Sequence, residues 1–188
     1  MNYSEIKTFD ISNGVGVRTS LFVSGCHFHC PGCFNQNTWD FDSGEPFTND
    51  TIEYILKTID SPNIDGLSIL GGEPLASENL IDVLRLLTRI PSDKNVWLWT
   101  GYTYEFILKD FDRLAVLDYI DVLVDGPFIE SESDSLLRFR GSANQRIIDI
   151  PKSLEANEIV MWTDGPIMGD RKWDGILTSF NKSNGFYA

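Results

Sequence analysis

Residues 66–74 read Gly66-Leu67-Ser68-Ile69-Leu70-Gly71-Gly72-Glu73-Pro74. A short apolar run that enters a glycine pair without a polar linker has the pattern of a buried strand ending in a tight turn. Just beyond it, Ser77 can cap a helix whose Leu80, Val83, Leu84 and Leu87 recur at helical spacing. Strand, turn and helix together make one βα unit, and the flanking sequence repeats that unit. On the N-terminal side, Asp50-Thr51-Ile52-Glu53 starts a helix with Ile52, Ile55, Leu56 and Ile59 on one face. Before that helix, residues 17–24 (VRTSLFVS) form a β-branched, apolar strand that can pair as a hairpin with residues 5–11.

On the C-terminal side, residues 95–100 (NVWLWT) form a strand ending at Gly101. A helix over 104–119 follows, broken near Asp110–Asp112. Residues 121–124 (DVLV) form a strand ending at Asp125-Gly126-Pro127, and 146–150 and 158–162 are the last two strand candidates. Alternating strands and helices imply an α/β fold with a parallel sheet and functional groups at the C-terminal strand ends. About six strands are too few for an eight-fold barrel, so the expectation is an open, partial parallel β/α barrel. Gly25, Gly71, Gly101 and Gly126 all end strands and so fall on one rim.

With 188 residues, the chain fits a single core over residues 1–162 and a C-terminal extension over 163–188 that packs on or near it. The formal charge of −13 argues against a general nucleic-acid binder, which needs clustered Lys and Arg, and against adsorption to anionic membranes. No stretch approaches the roughly 20 apolar residues of a membrane span, and MNYSEIKTFD lacks a signal peptide's apolar core, so a cytoplasmic protein is expected. The three cysteines, an odd number, all lie between Cys26 and Cys33. Such crowding suits a metal in a reducing compartment, not a disulfide framework.

Cys26-His27-Phe28-His29-Cys30-Pro31-Gly32-Cys33 has the spacing C-x3-C-x2-C. Three thiolates can hold three corners of a cubane [4Fe–4S] cluster, whose usual complement is four. The fourth iron is then open, as a catalytic metal requires and a structural one does not. The same thiols with His27 or His29 could instead form a Cys3His zinc site, although zinc favours two separated pairs. Each histidine alone reads as a loop residue or an outer hydrogen-bond donor. Gly71-Gly72-Glu73-Pro74 could be a plain βα turn. Beside an open cluster it could also receive an amino acid's ammonium through backbone carbonyls, with Glu73 adding charge-assisted stabilisation.

These two motifs together resemble the radical S-adenosylmethionine superfamily, whose hallmark is C-x3-C-x2-C followed by GGE. The likeness narrows to the activating proteins of anaerobic (class III) ribonucleoside-triphosphate reductases, which are glycyl radical enzyme activases. Val15-Gly16-Val17-Arg18-Thr19-Ser20 through Ser24-Gly25-Cys26 is similar to the strand before their cysteines, and Cys30-Pro31-Gly32-Cys33-Phe34-Asn35 to their cysteine loop. Trp99-Thr100-Gly101-Tyr102, Asp121 with Val124-Asp125-Gly126-Pro127-Phe128, and Arg138-Phe139-Arg140-Gly141-Ser142-Ala143-Asn144-Gln145-Arg146 follow in the family's order. The likeness spans residues from about 10 to 150, enough motifs in register to exclude chance. Asn13-Gly14-Val15-Gly16 replaces the usual Asp-Gly-Pro-Gly, and Phe34 replaces a frequent tyrosine, so only packing carries over there.

The resemblance implies an enzyme, a radical S-adenosylmethionine oxidoreductase. A flavodoxin-like donor would reduce the cluster, which would cleave S-adenosylmethionine to methionine and a 5′-deoxyadenosyl radical. The radical would take hydrogen from a glycine of the partner reductase. It implies iron ligation by Cys26, Cys30 and Cys33 and no catalytic acid or base. Gly32 and Phe34 would flank the adenine, Gly71, Gly72 and Glu73 would face the methionyl end, and Thr100 and Asp125 would touch cofactor or substrate or merely form turns. Arg138, Arg140 and Arg146 could orient a partner carboxylate or pair with surface acids. Trp162, Trp173, Phe180, Phe186 and Tyr187 could dock a partner or cover an open sheet end. The alternatives are an activase of another glycyl radical enzyme and, in a different class, a zinc-stabilised binding module without enzymatic activity.

Overall fold

The computed structural model describes residues 1–163. Trp173, Phe180, Phe186 and Tyr187, and nearly all of the expected extension, lie outside the described residues.

The chain opens with β1 (Asn2–Asp10) and β2 (Arg18–Val23), the expected antiparallel hairpin, kinked by irregularities between Tyr3 and Glu5 and between Lys7 and Asp10. β3 (Glu45–Pro46), which its sequence does not announce, adds two residues to the outer edge of β1. α1 (Asn49–Ile59) begins at Thr48, whose hydroxyl accepts from Thr51 N while the Thr51 hydroxyl accepts from Thr48 N. This reciprocal cap ties off two amide groups that the helix cannot satisfy. Ile52, Ile55 and Ile59 are the buried face of α1.

β4 (Gly66–Gly71) lies parallel to β2 on one side and to β5 (Asn95–Trp99) on the other. Both its faces are covered, which explains its continuous apolar run. α2 (Ser77–Leu87) intervenes between them. Its cap is Ala76, without a side-chain bond, and Ser77 is the first helical residue. The turn before α2 is fixed by Leu75 N on Glu73 Oε1 and Ala76 N on Glu73 O, so the helix starts without needing a hydroxyl cap.

The expected helix over 104–119 is three short pieces: α3 (Tyr104–Ile107), α4 (Phe111–Leu114) and a 3-10 turn over Ala115–Tyr119. The break falls at Asp110, whose carboxylate accepts from Arg113 N and restarts the helix. β6 (Val122–Asp125) then joins β5 in parallel. β7 (Arg146–Asp149) returns antiparallel to β6, and α5 (Ile150–Ala156) follows.

The strand order is β3-β1-β2-β4-β5-β6-β7, an unclosed, mostly parallel sheet of seven strands among the described residues. The expectation of about six parallel strands needs correction in count and sense: β2, β4, β5 and β6 are parallel, and β1, β3 and β7 are not. The chain between β6 and β7 has only a 3-10 turn, with no α-helix to carry a parallel crossover. Residues 158–162 contribute one bridge, Met161 to Ile148, and no strand; the Trp162 ring joins an aromatic cluster with Trp97 and Phe139.

Side chains alternate across the strands. Leu21, Leu67, Ile69, Val96, Leu98 and Leu123 face the helices and form the main core. Trp97, Val122 and Val124 face the opposite way, covered by Val15, Trp99, Phe139, Ile147 and Trp162. Arg18 also lies on that second side, fully buried, its guanidinium donating to Ser68 Oγ and to the carbonyls of Val15, Leu67 and Asn95. No helix of the described residues is long and apolar enough to cross a membrane.

Candidate iron–sulfur and cofactor site

The C-terminal ends of the parallel strands surround a cavity of about 160 Å³. Its wall includes Cys26, Cys30 and Cys33 on one side and Gly71, Gly72, Glu73, Thr100 and Gly101 on the other, with Phe34, Trp99 and Phe128 around it. The sequence-predicted groups thus converge, with two exceptions: Gly32 and Asp125 are not part of the wall.

The cysteine loop is anchored through its backbone. Gly25 N donates to Thr38 O at 2.7 Å and Cys26 N to Trp39 O at 3.0 Å, so the loop folds back on residues 38–39 before the thiols emerge. Cys33 N then closes a tight turn on Cys30 O. Each sulfur meets main-chain donors: Phe28 and His29 at Cys26, Phe128 at Cys30, and Asn35 N on Cys33 Sγ at 3.4 Å. Burial pushes the Cys26 and Cys30 thiols above their ordinary range, only partly offset by these donors.

Gly72 passes so close to the cysteine strand that a Cβ on it would lie 2.4 Å from Gly25 O. Only glycine permits the bonds Gly72 N to Val23 O and Glu73 N to Gly25 O. Glu73, 1% exposed, points its carboxylate into the protein. Oε1 accepts from Leu75 N at 2.8 Å and from the Thr100 hydroxyl at 2.7 Å, and Oε2 accepts from Gly101 N at 2.7 Å. Desolvation outweighs these donors and pushes Glu73 up to about 7. Thr100 N in turn donates to Val124 O, and Gly126 N to Tyr102 O. A continuous belt of hydrogen bonds therefore runs along the rim from Trp39 to Gly126. The carboxylate of Glu73 supplies the link where β4 and β5 part.

Phe28, which sequence reading passed over, packs on this belt: its ring meets Tyr102 edge-on at 5.0 Å and fills the space beside Gly101, where a Cβ would lie 2.6 Å from it. Arg113, also passed over, braces the outside. It donates to Leu75 O and Asp110 and stacks over Tyr102 at 4.6 Å. Only the aromatic run and the helix break hinted at either.

Phe34 is 75% exposed at the cavity mouth and touches Phe128 edge-on. Gly32 is exposed and faces the Glu130 side chain. Asp125 is buried, accepting from Tyr104 N and from both Nε and Nη2 of Arg146, which also grips Glu105. Arg140 donates to Gln145 O, and Arg138 lies over the Phe139 ring. Arg140 therefore serves the 126–146 segment itself, whereas Arg146 ties β7 to Asp125 of β6 and Glu105 of α3. His27 Nε2 sits 3.0 Å from Glu78 Oε1, and His29 stacks on Trp39.

Two observations bear on what the thiols could hold. Among the described residues, no set of three His, Cys, Asp or Glu side chains converges to hold a single metal ion. A cubane does not demand that convergence, because each cysteine binds a different iron. In addition, the buried Trp39 Nε1 lacks a protein acceptor, and its residue is part of the cavity wall. A donor set of three thiols with main-chain N–H groups at each sulfur fits a [4Fe–4S] cluster.

A family model described as a 4Fe-4S single cluster domain matches residues 12–148, which include the cysteine loop and every strand from β2 to β6. An anaerobic ribonucleoside-triphosphate reductase-activating protein of Vibrio cholerae is 45% identical over 152 residues, covering 78% of this chain and 97% of that protein. This chain belongs to that family. The same-named proteins of Escherichia coli strain K12 and of Enterobacteria phage T4 are 42% and 37% identical over 150 residues, covering 96% and 93% of their lengths. Membership in a 4Fe-4S activating-protein family favours the cluster over zinc for the three thiols.

Proposed function

We propose that this chain activates an anaerobic ribonucleoside-triphosphate reductase by reductive cleavage of S-adenosylmethionine at a [4Fe–4S] cluster held by Cys26, Cys30 and Cys33. The observation that carries the reading is the placement of those thiols, each with main-chain donors, across one cavity from the Gly71-Gly72-Glu73 turn. The relatives, named as activating proteins of that reductase, favour it over other glycyl radical enzymes.

When bound, the cluster and S-adenosylmethionine supply the electron transfer and the hydrogen-atom abstraction from a glycine of the reductase. This chain's residues bind, orient and exclude water. Cys26, Cys30 and Cys33 would hold three irons of the cluster, leaving the fourth for S-adenosylmethionine. Gly71, Gly72 and Glu73 would face the methionyl end, with the glycine carbonyls available to its ammonium, and the Glu73 side chain holds that turn to Thr100 and Gly101 from behind. Phe34, beside Phe128 at the mouth, offers a ring face to the adenine, with Gly32 completing the turn next to it. Asp125 holds Arg146 and α3 in place and so shapes the segment that closes the site. No side-chain acid or base is needed.

The wider reading includes a core domain over residues 1–162 whose parallel strands form the wall of a partial barrel. It also includes a flavodoxin-like electron donor, no nucleic-acid or membrane partner, and residence in the reducing cytoplasm, where free thiols persist. The test is anaerobic reconstitution with dithionite, S-adenosylmethionine and the candidate reductase. A glycyl radical doublet by electron paramagnetic resonance is expected; cleavage of S-adenosylmethionine without a doublet would reassign the partner, and no cleavage would reject the reading.

A further inference from the structure

Asn79 lies in the first turn of α2, fully buried against the ends of the sheet. Its main-chain N–H donates to Ala76 O, which fixes the residue in the helix. Its Nδ2 splits its two hydrogens between carbonyls of different strand ends: Ser24 O at 2.9 Å, two residues before Cys26, and Glu73 O at 2.9 Å. The amide thus clamps the cysteine loop to the Gly71-Gly72-Glu73 turn from the helix side, beneath the backbone bonds that join them at the rim. Turning the amide over would set its oxygen against both carbonyls, so the orientation is fixed. That leaves Asn79 Oδ1 buried without a protein partner.

We propose that Asn79 is a positioning residue: it sets the separation between the thiol loop and the glycine turn, and through that spacing the affinity for S-adenosylmethionine. The inference rests on the function proposed above. Nothing in it requires Asn79 to touch cluster or cofactor.

The test uses N79L, which keeps most of the volume without donors, and N79A, which removes both donors and bulk. Reconstituted proteins are compared for iron and sulfide content, for the dissociation constant of S-adenosylmethionine, and for the cofactor-induced change in the reduced cluster's paramagnetic spectrum. KM and kcat for 5′-deoxyadenosine formation are measured alongside. Both variants are expected to keep their iron while the dissociation constant and KM rise about tenfold, equivalent to about 1.4 kcal/mol. The fall in kcat at saturation should be far smaller, and the spectral change should need correspondingly more cofactor. Unchanged affinity in both variants, with binding intact in the unsubstituted protein, would overturn this inference alone. Parallel loss of iron in both would also overturn it, by making Asn79 a folding residue. No binding by the unsubstituted protein would reject the functional reading and this inference with it.

Discussion

The Thr100 hydroxyl donates to Glu73 Oε1 at 2.7 Å, across the point where β5 and β4 separate. This contact makes the acidic residue of the Gly71-Gly72-Glu73 turn a piece of the frame. It also places a titratable group inside the belt, and the sign of its pH dependence follows.

Glu73 is held at about 7 against an ordinary 4.5, chiefly by burial. Between those values the folded protein keeps a proton that the unfolded chain releases. The stability from this group is therefore full below 4.5 and lost as pH rises through 7, a change on the order of 3 kcal/mol. Urea denaturation of the apoprotein from about pH 5 to 8 should show that decline in the unsubstituted protein and not in Glu73→Gln, which cannot titrate. Parallel curves for the two would contradict it. Thr100→Val, which removes a donor that favours the ionised form, should move the decline to higher pH.

Cys26→Ala, Cys30→Ala and Cys33→Ala should each lose the broad visible absorption of the reconstituted protein together with S-adenosylmethionine cleavage. Retained cleavage in any of them would show that its sulfur is not a required ligand.

A methyl group at Gly101 has no room beside Phe28. Gly101→Ala should therefore cost about 1–3 kcal/mol and lower iron incorporation, because the Phe28 ring that must move belongs to the cysteine loop. Phe28→Leu in the same chain should recover part of both, as coupled neighbours do. If the double variant is as poor as the sum of the singles, the ring is not the obstacle.

Removing the guanidinium in Arg146→Met strands the buried Asp125 carboxylate, a loss of about 3–5 kcal/mol in denaturation experiments. The same guanidinium, through its own pair of hydrogen bonds to Glu105, holds that carboxyl at about 2. Glu105 contributes stability above its ordinary 4.5 that is lost as pH falls toward 2, so a carboxyl titration followed by nuclear magnetic resonance should find it back near 4.5 in the variant. A Glu105 titration that does not move would mean that another group depresses it.

The parts of this fold governed by short-range pattern were legible in the sequence. β4 and β5 announce themselves as apolar runs, and the rim glycines mark where each parallel strand stops. The thiol spacing and the glycine turn pointed to one site because both follow strands that turn out to be neighbours, β2 and β4. What stayed hidden depends on tertiary pairing. The two residues of β3 are a strand only because β1 lies beside them. β7 runs antiparallel because its connection holds no crossover helix, a matter of topology and not of composition. The buried roles of the Asn79 amide and the Glu73 carboxylate were not legible, because nothing in a linear reading tells which way such a group turns once neighbouring strands are in place. Arg18, read only as part of a strand motif, is buried by partners fifty and more residues away.

Phe128 stands with one part in each of two worlds. Its main-chain N–H serves the Cys30 sulfur, while its ring rests against Phe34 at the open mouth. Donors to a ligating sulfur are among the levers that set a cluster's potential. Under the ligation proposed above, a change at residue 128 would reach the mouth of the cavity and the surroundings of the Cys30 sulfur together, so the two could not be altered separately there.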